Sequence, residues 1–123
     1  MKFVNLRIFW LSFYILGFVH SQTIYTEYVI MNSDTVDVFS YQIPFNYTGI
    51  EPVPLLVTFH QWGGNENSNY YTEFDEEANA RNWIMLSPYG GSSNNYNHQG
   101  MQNMIEQEIL WLQDNYNIDK NRI

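Results

Sequence analysis

One short apolar stretch in the middle of the chain limits the possible folds more than any other feature. Residues Leu55 to Phe59 read LLVTF, with Thr58 as their one polar member, and a loop of sequence HQWGG follows them. A run of this length and composition predicts a strand covered on both faces, as in a parallel sheet, although periodicity alone also allows a turn of buried helix. The segments that follow decide between these two structures.

A helix is predicted shortly after that loop. Residues Glu73 to Asn82 place Phe74 and Ala78 four positions apart on one face, and Thr72 is suited to cap the first turn. Successive acidic residues in its first half suit the positive end of the helix dipole. The segment therefore predicts a helix that begins at Glu73 and has one apolar face.

A second strand and a second helix complete the pattern. Residues Trp83 to Pro88 form another apolar run, and residues 89–100 form a loop rich in glycine and asparagine. From Met101 to Tyr116, apolar residues recur at three- and four-residue steps, which is typical of a helix. The predicted apolar face carries Met104, Ile105, Ile109, Leu112 and Tyr116.

Two strand-like segments precede this pattern. Residues 23–30 and 35–43 are rich in β-branched and aromatic residues, and the polar sequence MNSD between them supplies a turn. They therefore predict an antiparallel hairpin. A hairpin followed by strand, helix, strand and helix is typical of an α/β fold with a mostly parallel sheet and right-handed crossovers.

The first 21 residues have the pattern of a signal peptide. Lys2 and Arg7 accompany an apolar run from Ile8 to Val19, and Ser21 is a small residue at the expected cleavage point. The run is shorter than the roughly 20 residues that span a bilayer. The sequence thus predicts a secreted or periplasmic domain of residues 22–123, with no stable membrane insertion after cleavage. The alternatives for the first segment are a membrane anchor and a buried strand.

The composition of the remaining chain excludes several partners. It carries 13 acidic and three basic side chains, a net charge of −10, and the protein has no cysteine. Such a surface repels phosphate backbones, so we expect no nucleic-acid partner. Without disulfides, the fold depends on its core or on further protein. No cofactor is expected, and no metal, because His60 and His98 lack the spacing of ligands that act with Glu66, Glu73 or Asp75.

Three stretches resemble the N-terminal portion of secreted esterases with the α/β-hydrolase fold, related to polyhydroxybutyrate depolymerases and feruloyl esterases. PLLVTFHQWGGNENS (54–68) is similar to their third strand and oxyanion loop. FDEEANARNWIMLSPYG (74–90) is similar to their first helix and fourth strand. IEQEILWLQDNYNIDKNRI (105–123) is similar to the helix and link before the nucleophile strand. The resemblance implies an incomplete α/β-hydrolase fold that ends before that strand.

The resemblance implies a Ser-Asp-His triad, but the sequence lacks the motif that carries it. In this fold the nucleophile lies in a Gly-x-Ser-x-Gly turn, and the acid and the histidine follow it in the chain. No such motif occurs up to Ile123. Ser92 follows two glycines but lacks the second glycine of the motif, and His60 and His98 precede the expected nucleophile. The nucleophile, acid and base are therefore expected beyond Ile123.

The HQWGG loop takes the place of the family's oxyanion loop. The resemblance implies that the backbone N–H of Gln61 or Trp62 is one donor of the oxyanion hole. It also implies that His60 supports the loop and that Gly63 and Gly64 allow its backbone path. Many members of the family have glycine directly after the histidine, where this chain has Gln61. The Trp62 side chain is expected either to form an apolar wall for substrate or to pack on the sheet edge.

These features predict the front half of a secreted serine hydrolase that acts on small-molecule or polymeric carboxylic esters and is inactive as 123 residues alone. One alternative is a serine peptidase of the prolyl-oligopeptidase type, which shares the fold and a similar YNID link. Another is a non-catalytic secreted binding module or inactive remnant, with residues 67–71 and 92–97 as candidate sugar-binding loops. Without the nucleophile strand, Leu55 to Phe59 are expected to form an open sheet edge, which predicts a marginally stable or aggregation-prone chain.

Overall fold

The computed structural model describes residues 22–31, 34–92 and 99–123, so the predicted signal peptide and His98 lie outside the described residues. No helix in the described part of the chain has the length and apolar character needed to cross a bilayer. The elements, in chain order, are β1 (Ile24–Met31), β2 (Asp34–Gln42), β3 (Leu55–Val57), α1 (Glu73–Ala80), β4 (Ile84–Pro88) and α2 (Gln99–Asn115).

The strands form one mixed sheet in the order β1-β2-β4-β3. The hairpin prediction is confirmed, since β1 and β2 pair antiparallel, with an irregularity in register between Val29 and Ile30. β4 lies between the hairpin and β3, and it pairs antiparallel with β2 and parallel with β3. The α/β fold class is therefore confirmed.

The two helices cover opposite faces of the sheet, because successive strand residues point to opposite sides. Ile84 and Leu86 of β4 belong to the core cluster that contains Leu112 of α2. Met85, which lies between them, packs in a separate cluster with Ala78 of α1. β4 is buried along its whole length as a result.

The start of α1 confirms the predicted cap but not the predicted buried face. Thr72 Oγ1 accepts a hydrogen bond from the Phe74 N–H at 3.2 Å, and Asp75 Oδ1 accepts one from the Thr72 N–H at 2.8 Å. Asp75 also accepts the Tyr71 N–H at 3.0 Å, so its buried carboxylate satisfies backbone donors at the helix start. The prediction for Phe74 was wrong, because Asp75 and Ala78 are the buried residues while Phe74 is 55% exposed.

The strand after the hairpin is shorter than predicted. β3 ends at Val57, and Phe59 is 52% exposed rather than covered on both faces. Helix α1 also ends two residues early, at Ala80, and Asn82 turns the chain with a φ of 59° before β4.

The segment after α2 partly covers the outer edge of β3. The Val53 N–H donates to the Asn117 carbonyl at 3.0 Å, and the Asp119 N–H donates to the Val53 carbonyl at 2.8 Å. The Leu55 N–H donates to the Arg122 carbonyl at 3.0 Å. Backbone groups alternate in direction along a strand, so the N–H and carbonyl of Val57 also point away from β4, and no described residue pairs with them. The predicted open edge is therefore confined to the end of β3.

Candidate oxyanion loop

The HQWGG loop lies at the end of the sheet where ligands bind in α/β folds. Because β3 and β4 are parallel, their carboxyl ends share one edge, and Val57 pairs with Leu86 near that edge. The loop continues from β3, and Tyr89 to Gly91 continue from β4. Ligands in open α/β sheets bind outside the carboxyl ends of the strands.

The loop contains a tight turn that explains both of its glycines. The Gly64 N–H donates to the Gln61 carbonyl at 2.8 Å, and Gly63 has a φ of +79°. Trp62 has a negative φ, since Tyr71 and Asn82 are the described non-glycine residues with positive φ, so the turn is of type II. A Cβ atom on Gly64 would lie 2.9 Å from the Gln61 carbonyl oxygen and 3.0 Å from the His60 Cβ.

His60 connects this turn to the loop after β4. Its ring is buried, with Nδ1 2.8 Å from the Gln61 carbonyl oxygen and Nε2 3.1 Å from the Tyr89 carbonyl oxygen. The ring also stacks on the Tyr89 ring, with 5.9 Å between centroids. A neutral imidazole carries one N–H and donates to one of these oxygens, whereas an imidazolium donates to both. The buried ring packs on Tyr89 and faces backbone oxygens with both of its nitrogens, so it is not placed as an exposed base.

The Gln61 carbonyl sets the direction of the next N–H group. This carbonyl is held by Gly64 and faces His60, and in a trans peptide the following N–H points the opposite way. The Trp62 N–H therefore points away from the turn and from His60. Among the described residues, no acceptor contacts the N–H of Gln61 or Trp62. The Trp62 side chain is 80% exposed, so it does not pack on the sheet edge.

A buried pair of carboxyl groups lies beneath the loop after β4. Asp37 Oδ1 accepts hydrogen bonds from the Gly91 N–H and from the Val38 N–H, both at 2.9 Å. Glu108 of α2 is fully buried, and its carboxyl group interacts with that of Asp37. Burial, followed by the charge of nearby Asp37, raises the pKa of Glu108 to about 10. Glu108 therefore carries a proton at neutral pH.

The residue spacing in α2 indicates that Glu108 lies on a buried face, although the predicted apolar face did not include it. Glu108 lies four residues after Met104 and four before Leu112, so it belongs to the same face of α2 as these apolar residues. Met101, Glu108 and Leu112 are the buried residues described on α2, while Ile105 and Ile109 are partly exposed. The apolar face is thus rotated from the predicted one.

The described residues do not assemble a catalytic triad. Ser92 lies in the loop after β4, outside any tight strand-to-helix turn, and His60 points to backbone carbonyls. Within the described ranges, no group of three or more His, Cys, Asp and Glu side chains is placed to hold a metal ion. What the structure brings together at the carboxyl edge is a loop with one outward N–H group, that of Trp62, supported by a buried histidine.

The sheet order, the crossover helices and the loop at the carboxyl edge define a class of fold: the chain has the architecture of the N-terminal part of an α/β-hydrolase. It is similar to the S-formylglutathione hydrolase FrmB from Staphylococcus aureus, with 12% identity and a TM-score of 0.61 over 82% of this chain and 44% of that chain. It is also similar to a CE1 ferulic acid esterase from the anaerobic fungus Anaeromyces mucronatus, with 13% identity and a TM-score of 0.58 over 84% and 47%.

A thermostable esterase is similar as well, with 18% identity and a TM-score of 0.58 over 81% of this chain and 32% of that chain. The chain therefore spans less than half the length of each of these proteins. No protein-family model matches the sequence, and no curated protein matches it either. The structural likeness supports an ester-hydrolase-like fold.

Proposed function

We propose that this chain is the front half of a secreted serine hydrolase that cleaves carboxylic esters, and that its HQWGG loop supplies one donor of the oxyanion hole. The observation that carries the proposal is the position and direction of the Trp62 N–H group. It lies at the carboxyl edge of the sheet, points away from the turn and has no acceptor among the described residues. Between the two donors expected from the sequence, this geometry favours Trp62 over Gln61.

The chemistry requires such a donor. When a serine attacks an ester, negative charge gathers on the carbonyl oxygen, and fixed N–H groups aimed at that oxygen lower the barrier. One donor follows the nucleophile in the chain and the other comes from the loop after the third strand. His60 acts here as a positioning residue, because its ring faces the carbonyl of the peptide group whose N–H belongs to Trp62. The chain has no Gly-x-Ser-x-Gly, so we propose that it is inactive alone.

The proposed substrate class follows the proteins of similar structure. One of them is a ferulic acid esterase solved with ferulic acid, and another is named as an S-formylglutathione hydrolase. Both names describe acyl groups that are cleaved from a carrier. An exposed Trp62 ring beside the proposed donor would provide an apolar wall for an acyl group, aromatic ones included.

The test is a pair of substitutions at Trp62 in the longer hydrolase that this proposal expects. Proline at the second position of a type II turn fits the turn and removes the N–H, so Trp62→Pro deletes the donor while keeping the loop. We expect kcat for p-nitrophenyl acetate to fall about 10²- to 10³-fold. Trp62→Ala keeps the N–H, and its kcat is expected to stay within a few-fold of the wild type. Equal kcat values for the two variants would refute the oxyanion role.

The same assays separate the proposed function from its alternatives. Turnover of p-nitrophenyl esters without cleavage of prolyl peptides supports an esterase, and the reverse result supports a peptidase of the prolyl-oligopeptidase type. Turnover of p-nitrophenyl acetate by the 123-residue chain would contradict the proposed inactivity. Secretion is tested independently, because N-terminal sequencing of exported protein is expected to begin at Gln22.

A further inference from the structure

A second concave site lies at the opposite end of the sheet from the HQWGG loop. It is a cavity of about 550 Å³ beside the chain segment that follows β2. β2 runs antiparallel to β4, so the segment after Gln42 continues past the amino end of β4. β3 runs parallel to β4, so the HQWGG loop after Val57 continues past the carboxyl end of β4. The cavity therefore lies at the amino ends of the parallel strands, apart from the proposed oxyanion donor. Its volume is within the range of small-ligand sites.

Aromatic rings held by their own contacts line this cavity. Tyr25 stacks on Tyr41 with 5.1 Å between ring centroids, and it remains 43% exposed. The Tyr47 hydroxyl accepts the Asn117 N–H at 2.7 Å, and its ring packs edge-on against Tyr116. Because these rings are fixed before any ligand arrives, binding on them loses little side-chain entropy.

Amide side chains line the same cavity. Asn79 Oδ1 accepts the Phe45 N–H at 2.8 Å, which fixes the amide and leaves its Nδ2 group as a donor. Gln22 and Asn46 contribute two further amides. An amide offers both donors and an acceptor, which matches a hydroxyl group that does the same.

The charge of the lining narrows the ligand class. Among the described residues that line the cavity, no side chain is charged, although the chain as a whole is strongly acidic. The side chains of the lining offer no counter-charge to a charged ligand, whereas a sugar presents neutral hydroxyls at its rim and C–H groups on its faces. Aromatic faces suit the C–H groups, and amides suit the hydroxyls. We infer that this cavity binds a neutral sugar unit of an oligosaccharide or polysaccharide.

The test uses the full chain made in bacteria, so that the Asn46-Tyr47-Thr48 sequon carries no glycan. The probes are cellotetraose and xylotetraose, and the readout is saturation-transfer NMR with a titration of chemical shifts. We expect transfer from protein to at least one oligosaccharide. Tyr25→Ala is expected to weaken binding about tenfold, the effect of losing one aromatic contact. Asn79→Asp keeps an acceptor for the Phe45 N–H, removes the donor and is expected to weaken binding as well.

The matched control is Tyr28→Ala, since Tyr28 is on the same strand, is 58% exposed and lies outside the cavity. It is expected to leave oligosaccharide binding unchanged. Far-UV circular dichroism checks that each variant is folded, and Asn79→Asp remains informative if Tyr25→Ala unfolds. Absence of transfer to either probe from the folded chain would overturn the inference. So would equal affinities in Tyr28→Ala, Tyr25→Ala and Asn79→Asp.

Discussion

Replacing Glu108 by glutamine should change how the stability of the chain depends on pH. The folded state holds a proton on Glu108, because burial and then nearby Asp37 raise its pKa from 4.5 to about 10. In the unfolded chain the same carboxyl ionises near its ordinary pKa. At pH values between these two pKa values, folding therefore takes up one proton. The contribution of Glu108 to stability is complete below the unfolded pKa. It is lost progressively as the pH rises towards the folded pKa.

The size of the effect follows from the proton count. One proton corresponds to about 1.4 kcal/mol per pH unit, so the free energy of unfolding should fall by about 2.7 kcal/mol between about pH 6 and about pH 8. This slope is the same for any folded pKa well above 8. Glu108→Gln has no such proton to exchange, and glutamine fills the same volume. The variant should therefore gain stability relative to the wild type as the pH rises.

Urea unfolding followed by tryptophan fluorescence at three pH values measures this slope. Glu106→Gln is the matched control, because Glu106 lies on the same helix but is exposed, and it should retain the wild-type slope. Parallel stability curves for the wild type and Glu108→Gln would refute the reasoning, since they would show that Glu108 binds no extra proton on folding.

Three further outcomes are expected on the same chain. Gly64→Ala should destabilise the chain more than Gly63→Ala, because a Cβ on Gly64 would meet a backbone oxygen. A Cβ on Gly63 has open space, so that variant loses only about 1–2 kcal/mol of stability through the positive φ. Thermal melts of the two variants check this order. Thr72→Ala should lower the free energy of unfolding by about 1 kcal/mol through loss of the α1 cap, with a smaller effect for Thr72→Ser. Val57→Pro should reduce self-association in sedimentation velocity, since the Val57 N–H points to the open edge. The melting temperature should fall moderately, because the Val57 side chain packs on the core. Unchanged association would show that this edge is not the contact.

Local features of the fold could be predicted from the sequence because they depend on neighbouring residues. The cap at Thr72 depends on contacts within a few positions, and the strand that ends at Pro88 is marked by a continuous apolar run. The buried face of α1 could not be predicted in this way. Hydrophobicity favours Phe74, but the carboxylate of Asp75 is needed by the backbone N–H groups of Tyr71 and Thr72, and this need places Asp75 against the sheet.

Features that depend on contacts between residues far apart in the chain were harder to predict from the sequence. The sequence predicted a glycine turn after β3, yet the link from His60 to the Tyr89 carbonyl joins loops from two strands and has no local signature. The position of Glu108 on the apolar face of α2 was visible in the spacing, but a charged residue there is usually assigned to solvent. Its raised pKa depends first on burial and then on Asp37, which is far away in the chain, and neither is visible in the local sequence.

The central position of β4 has a consequence for the order in which the chain assembles during synthesis. The hairpin leaves the ribosome first and β3 second, but in the finished sheet they do not touch, because β4 lies between them. Until residues 84–88 emerge, β3 has no strand to pair with and the second edge of the hairpin is uncovered. When β4 arrives, it closes two ladders in one step. The sheet therefore forms late and cooperatively, and a ribosome pause after β3 would leave an apolar strand accessible to chaperones or to other nascent chains.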